Sequence, residues 1–278
     1  MRGDATGPGA GTPASTYRER RPPAALARHV LCVWTQVIGD GATDLVHRVL
    51  PDGCADLVWI GAAPAVVAGP ATGPVLVPLA PRTTVVGVRL RPGAARALLG
   101  VPASELLNRD TPLRELWGAT GAALAEGIGA LPSLAARLGA AEAALAPRLA
   151  GAGPPDRLVA AAAAWLARHP GGRVAQLARI LDSGERRLHR RFTAAIGYGP
   201  KTFQRVLRLQ RVLALAGRSA RPDAALAALA AAAGYADQAH MSRELQALAG
   251  QSPRALLRHG RSTLEVSDLF KTAGARAS

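Results

Sequence analysis

Residues 177–213 read LARILDSGERRLHRRFTAAIGYGPKTFQRVLRLQRVL and residues 226–257 read LAALAAAAGYADQAHMSRELQALAGQSPRALL. The second segment repeats the first at a shift of 53 positions, and the matching pairs are Ala178 with Ala231, Leu188 with Met241, Arg190 with Arg243, Phe192 with Leu245, Gly197 with Gly250, Pro200 with Pro253, and Phe203 with Leu256. Each copy reads as an Ala- and Leu-rich helix, a turn, a second helix, and Gly-x-x-Pro opening another helix. Two short helices joined by a tight turn are typical of a helix-turn-helix unit.

The helical period predicts which side chains of each unit face inward and which face outward. The side chains expected in the two cores are Leu177, Ile180, Leu188 and Phe192 in the first unit, and Leu229, Met241, Leu245 and Leu248 in the second. The outward side chains of the second helices, which are our candidates for contacts with DNA bases, are Arg186, His189 and Arg190, then Gln238, Ala239, His240 and Arg243. Arg pairs with guanine and Gln with adenine in the major groove. Candidates for phosphate contacts are Arg187, Arg191, Lys201, Ser252 and Arg254.

Polar residues mark where the predicted helices begin. Asp237 is expected to cap the second recognition helix, and Ser252 the helix after it. For the first recognition helix, Asp182 and Glu185 have the spacing of a capping box. A helix over residues 201–216 joins the two units and spans about 24 Å. With the widths of the flanking units added, it would hold the two readers about one DNA turn, or about 34 Å, apart.

These motifs resemble the AraC-type DNA-binding domain over about 90 residues, including Gly197, Pro200, Gly250, Pro253 and the Gly234-Tyr235 turn. In that family the two recognition helices enter adjacent major grooves, which implies base contacts by the same outward residues. One departure lies in the first turn, where the family usually has Gly, an apolar residue and Ser. This chain has Asp182, Ser183 and Gly184 there.

The N-terminal half resembles the sensor segment of one AraC subgroup in three phrases: LARHVLCVWTQ, RVLPDGCADLVW and VGVRLRPGAARALLG. Other members of the wider family use an N-terminal β-barrel to bind a small effector and to dimerise. The resemblance implies the same two roles here.

The predicted fold class is α+β, with a small N-terminal β-sheet or barrel domain with helices and a C-terminal all-α domain. The predicted divisions are a disordered arm (1–16), a sensor and dimerisation domain (17–150), a linker (151–155), the DNA-binding domain (156–261) and a disordered tail (262–278). β-Branched runs predict strands at 30–38, 47–50, 55–60, 65–68 and 83–90. Helices are expected at 92–99, 104–107, 113–117, within 119–149, and from an Asp156 cap to Arg168.

Charge points to a polyanionic partner. The chain carries a formal net charge of +15, and residues 173–261 hold 16 Arg and Lys against 5 Asp and Glu. An excess concentrated in one segment suits DNA. The first 16 residues lack a signal-peptide core, and the apolar runs are too short to span a bilayer. A soluble, cytoplasmic protein without membrane contact is therefore expected.

The N-terminal half offers weaker signals. Trp34, Trp59 and Arg89 are candidates for an effector pocket, with Arg89 near a helix start where it would favour an anionic ligand. Cys32 and Cys54 are too few for a disulfide framework. They are more simply buried side chains than metal ligands, and no metal or cofactor is expected.

The leading interpretation is a sequence-specific transcription regulator that reads two adjacent major grooves and is controlled by an N-terminal effector-binding or dimerising domain. Two alternatives stay open, which are an architectural protein without sequence preference and an N-terminal enzyme fused to a DNA anchor. The sequence contains no catalytic triad order, phosphate loop or metal quartet, so an enzyme is not expected. The candidate partners are double-stranded DNA, RNA polymerase, a small-molecule effector and a second copy of the chain.

Overall fold

The computed structural model describes residues 15–40, 45–217 and 226–263. A β-rich N-terminal part precedes a helical C-terminal part, which confirms the α+β fold class. The strands are β1 Ser15–Arg20, β2 Val30–Ile38, β3 Leu45–Val49, β4 Asp56–Ile60, β5 Val66–Ala68, β6 Val75–Leu79, β7 Thr84–Leu90 and β8 Asp110–Pro112. The helices are α1 Ala95–Leu99, α2 Leu113–Gly129, α3 Leu134–Ala150, α4 Arg157–Arg168, α5 Val174–Ile180, α6 Glu185–Ile196, α7 Pro200–Ala216, α8 Leu226–Ala233, α9 Gln238–Ala249 and α10 Pro253–Thr263, with a 3₁₀ turn at Ala103–Glu105.

The N-terminal strands form a six-stranded sheet in the order β1-β2-β7-β4-β5-β8 and a separate antiparallel pair, β3-β6. One face of the large sheet packs against α1, α2 and α3 through a core that includes Trp59, Val86 and Val88. The other face carries Trp34 and Val85 toward the small sheet. Strand alternation thus gives the large sheet two buried faces, one against helices and one against a second sheet.

The predicted strands from residue 30 onward are confirmed to within three residues at each end. Three strands were not predicted: β1, β6 and β8. β1 has the sequence STYRER with every second residue exposed, so it lacks the apolar run that marks a buried strand. Ser15 and Thr16 belong to it, which corrects the arm predicted for residues 1–16; residues 1–14 lie outside the described part of the chain. Most of the predicted tail, 262–278, also lies outside it, and the domain divisions stay a prediction.

In the C-terminal part, α4 to α10 surround one core with α7 at its centre. The predicted Asp156 cap of α4 is confirmed, because its side chain accepts hydrogen bonds from the backbone N–H groups of Leu158 and Val159 at 2.9 and 3.3 Å. The rings of Phe192 on α6 and Phe203 on α7 pack edge to face, 5.4 Å apart. The helix over 201–216 is confirmed as α7.

The two parts of the chain are in contact. Gln210 on α7 donates a 2.7 Å hydrogen bond from Nε2 to the Pro51 carbonyl. Gly53, with φ of +84°, leaves no room for a side chain, since a Cβ there would lie 2.5 Å from the Phe203 ring. The turn after β3 therefore lies directly on the central helix of the C-terminal part.

Candidate DNA-binding surface and ligand cavity

The first helix-turn-helix unit consists of α5, α6 and the short turn between them. Asp182 adopts a left-handed conformation with φ of +45°, and the Ser183 N–H donates to the Ala178 carbonyl at 2.9 Å. This is the pattern that ends a helix in a Schellman motif. Asp182 therefore closes α5, and α6 begins after Gly184, which has no side chain to accept a capping bond. The predicted Asp182–Glu185 capping box is wrong for this reason.

The second unit, α8 and α9, ends its first helix in the same way. Gly234 has φ of +87°, and the Tyr235 N–H donates to the Ala230 carbonyl at 3.0 Å. The structural counterpart of Ala178 is therefore Ala230, not Ala231 as the repeat predicted; Ala178 and Ala230 are buried, whereas Ala231 is exposed. The turn of the first unit is one residue shorter than that of the second.

The recognition helices nevertheless keep the register that the repeat predicts. Leu188 on α6 and Met241 on α9 are both fully buried, as are Phe192 and Leu245 one turn later. The unusual Asp-Ser-Gly turn thus shortens the connection without rotating α6. Ile180, predicted in the core, is 55 % exposed; it is the last residue of α5, and its neighbour along the chain packs against the core instead.

The structure places most of the candidate base-contact residues on the surface. Those that are exposed are Arg186, His189 and Arg190 on α6, and Gln238, Ala239 and Arg243 on α9. His240 is half-buried, because its ring packs edge-on against Tyr235 at 5.3 Å and its Nε2 lies 3.4 Å from Glu244 Oε1. We therefore expect His240 to support α9 as well as face outward.

The candidate phosphate contacts separate into two groups. Arg187, Lys201 and Arg254 are exposed near the starts of α6, α7 and α10. Ser252 caps α10 as predicted, with its Oγ accepting from the Ala255 N–H at 3.3 Å. Arg191 instead forms a 2.7 Å ion pair with Asp156, which ties α6 to the start of α4. Asp237 likewise caps α9 as predicted, accepting from the His240 N–H at 2.6 Å.

A buried ion pair that the sequence reading missed holds α9 against α7. Arg208 Nη2 donates to Glu244 Oε1 at 2.6 Å, and Nε donates to Oε2 at 3.3 Å. Arg205 adds a second cation at 3.3 Å from the same carboxylate. The Arg208 guanidinium also donates to the Pro170 carbonyl at 3.2 Å. The second recognition helix is therefore fixed to α7 by charge-assisted hydrogen bonds as well as by apolar packing.

The N-terminal part touches the far end of both recognition helices. Gly197, which ends α6, lies against the Pro70 ring, and Gly250, which ends α9, lies against Arg48 and Pro74. Arg48 also donates from Nη1 to the Ala249 carbonyl at 3.1 Å. The starts of α6 and α9, which carry the exposed candidate residues, stay uncovered by these contacts.

A cavity of about 210 Å³ lies between the two sheets of the N-terminal part. Trp34 lines it and donates from Nε1 to Asp56 Oδ2 at 2.9 Å. Trp59 does not: it points to the opposite face of the large sheet and is 1 % exposed within the helix-packed core. The prediction for Trp59 is wrong because Trp34 on β2 and Trp59 on β4 point to opposite faces of the large sheet, with β7 between the two strands.

Arg89 at the base of the cavity is already paired with three carboxylates. Its guanidinium lies 3.1 Å from Asp56, 3.3 Å from Asp52 and 3.4 Å from Glu19. Burial alone would lower the pKa of Arg89, but Asp56 and Asp52 raise that pKa well above its ordinary value. Burial raises the pKa of Asp52, against the opposing effect of Arg89. The predicted anionic ligand at Arg89 is therefore not favoured, because a new anion would compete with these carboxylates.

The two cysteines are both buried, as expected from the sequence. Within the described residues, no group of three or more His, Cys, Asp or Glu side chains is arranged to hold a metal ion. Over the same residues, no helix is both long and apolar enough to cross a bilayer.

Two exposed recognition helices in matching register define a DNA-binding protein with tandem helix-turn-helix units. Comparison with protein families agrees: residues 177–259 match a helix-turn-helix domain, and residues 18–112 match a domain of unknown function, DUF6597. No curated protein and no solved structure gives a significant match. The chain thus carries an AraC-type helix-turn-helix domain behind a DUF6597 domain, and it is a DNA-binding transcription regulator.

Proposed function

We propose that the protein binds DNA sequence-specifically, with α6 and α9 in two successive major grooves on one face of the duplex. The observation that carries this proposal is the matching register of the two recognition helices, despite turns of different length. α7, with 17 residues, spans about 25 Å and holds both units through its buried side chains. Such a rigid spacing suits grooves one helical turn apart.

The residues assigned to base reading are the exposed ones at the starts and centres of the two helices. In α6 these are Arg186, His189 and Arg190, and in α9 they are Gln238, Ala239 and Arg243. The residues assigned to phosphate contacts are Arg187, Lys201, Ser252 and Arg254. Arg191 contributes only when its ion pair with Asp156 breaks. The charge excess of this domain supports both assignments.

Selection of bound fragments from random double-stranded DNA tests the proposal. We expect an enriched motif of two half-sites about 10 base pairs apart. Arg243→Ala should relax preference at one base pair and cost about 1–3 kcal/mol, whereas Arg254→Ala should weaken all sequences alike and lower the salt slope by about one. Arg28→Ala, an exposed arginine of the N-terminal part, is the matched control. Absence of an enriched motif would favour the architectural alternative.

We further propose that the N-terminal domain controls DNA binding by holding a small effector in the cavity. The turn at residues 51–54 supports this, because it contacts the cavity on one side and α7 on the other. Asp52 lines the cavity, while Pro51 accepts the hydrogen bond from Gln210 and Gly53 contacts Phe203. RNA polymerase, a second copy of the chain and a cytoplasmic location stay predictions of the sequence.

A further inference from the structure

The cavity between the two sheets has apolar walls and a charged base. Its walls come from Trp34 and Val58 on the large sheet, and from Val75, Val77 and Leu79 on the small one. An apolar cavity of about 150 Å³ holds benzene. A space of about 210 Å³ therefore suits a molecule slightly larger than one six-membered ring.

Negative charge outnumbers positive charge at the base of this cavity. Asp52 and Asp56 line the cavity and share the guanidinium of Arg89, and these three side chains are at most 18 % exposed. One guanidinium does not balance two carboxylates, and unbalanced buried charge is costly. At the rim, Arg109 and Asp110 add one charge of each sign and leave this excess unchanged.

A second polar group lies on the opposite wall. His47 on β3 is only 6 % exposed and lines the cavity. Among the described residues its one hydrogen bond is long, 3.5 Å between Gln36 Nε2 and His47 Nδ1, and its Nε2 has no partner. Burial lowers the pKa of His47, which favours the neutral ring. A ring nitrogen that lines a cavity and has no protein partner among the described residues is a position where a ligand gains a hydrogen bond.

We propose that this cavity binds an organic cation: a protonated amine on an apolar body about the size of one six-membered ring. The ammonium group replaces the missing positive charge beside Asp52 and Asp56. The apolar body fills the space between Trp34 and the small sheet, and a polar atom at its far end reaches His47. Only the regulatory consequence of this binding rests on the proposed function.

Binding of the cationic ligand also affects the DNA-binding domain, through a short series of contacts. Asp52 accepts from the Cys54 N–H at 2.8 Å, so a cation that draws Asp52 away from Arg89 shifts the turn at 51–54. The same turn carries the Pro51 bond to Gln210. Occupancy of the cavity thus acts on α7, the helix that spaces the two readers.

Three probes of nearly equal shape test the charge preference in the full chain: phenethylamine, 2-phenylethanol and phenylacetate. Titration calorimetry gives each affinity, and quenching of tryptophan fluorescence that disappears in Trp34→Phe locates the binding. We expect the amine to bind about tenfold or more tighter than the alcohol, because hydrogen bonds to charged groups are the stronger ones. Phenylacetate should bind weakest.

Asp52→Asn should lower the affinity for phenethylamine about tenfold and leave that for 2-phenylethanol unchanged. Asp40→Asn, the same change at a side chain that is 81 % exposed, should alter neither. Equal affinity for amine and alcohol, preference for phenylacetate, or no saturable amine binding would overturn the proposal. If Asp52→Asn does not fold, the probe series on the unchanged protein decides.

DNA binding measured with and without phenethylamine separates this inference from the proposed function. Amine binding that changes DNA affinity supports both. Amine binding with unchanged DNA affinity leaves the cation site standing and removes effector control. An enriched DNA motif without amine binding keeps the reader function and overturns the cation site.

Discussion

Replacement of Glu244 by Gln removes the carboxylate that holds Arg208 while keeping the shape of the side chain. Arg208 is 5 % exposed and Glu244 11 %, so the guanidinium would stay buried without its charged partner. Breaking a buried pair from one side costs about 3–5 kcal/mol, and we expect about 3 kcal/mol because the amide oxygen still accepts one bond. For a chain of this size that lowers Tm by about 6–12 °C.

Thermal unfolding followed by circular dichroism measures this loss. Glu185→Gln is the matched control, since Glu185 is an exposed acid at the start of α6 and should cost less than about 1 kcal/mol. The double variant Arg208→Met with Glu244→Leu should recover much of the stability. Equal Tm for Glu244→Gln and Glu185→Gln, or strictly additive effects in the double variant, would refute the role given to this pair. DNA selection with Glu244→Gln should also weaken the half-site read by α9.

Two further comparisons test the packing. Gly53→Ala should destabilise the contact with Phe203, and hydrogen exchange in α7 should become faster. Gly61→Ala is the control, since Gly61 also has a positive φ but open space around it, and it should leave the exchange unchanged. Equal exchange in both variants would show that the contact is unimportant. Leu177→Ala should lower the free energy of unfolding by about 2–5 kcal/mol, while Ile180→Ala should change it by about 0.5 kcal/mol or less. Similar losses in a urea titration would contradict the placement of Ile180 at the surface.

The sequence was most informative where the pattern was repeated. The shift of 53 positions predicted the register of α6 and α9, because in both copies two apolar residues four positions apart mark the buried face of the helix. The repeat could not predict that the first turn is one residue shorter than the second. The bond from Ser183 to Ala178 depends on the left-handed conformation of Asp182, which residue type alone does not dictate.

Long-range polar partners escaped the sequence reading. Arg208 and Glu244 are 36 residues apart, and each alone looks like a charge on a solvated helix face. Trp59 and Trp34 show a related limit of sequence-based prediction. Strand alternation indicates that a strand has two faces, but which face packs against helices depends on the order of all the strands in the sheet. Arg89 was predicted to attract an anion because it lies near a helix start. Its contact with Glu19 was missed, since Glu19 lies on β1, a strand that was not predicted.

The contacts of the N-terminal part with Gly197 and Gly250 have a consequence for the spacing of half-sites in the target DNA. The ends of α6 and α9 both contact the N-terminal part of the chain. The proposed function therefore implies that this part, together with α7, fixes the angle between the two helices. A ligand that alters this angle would favour some half-site spacings over others. The response of a promoter would then depend on one inserted or deleted base pair, so that operators of identical half-sites but different phasing could be regulated in opposite directions by the same molecule.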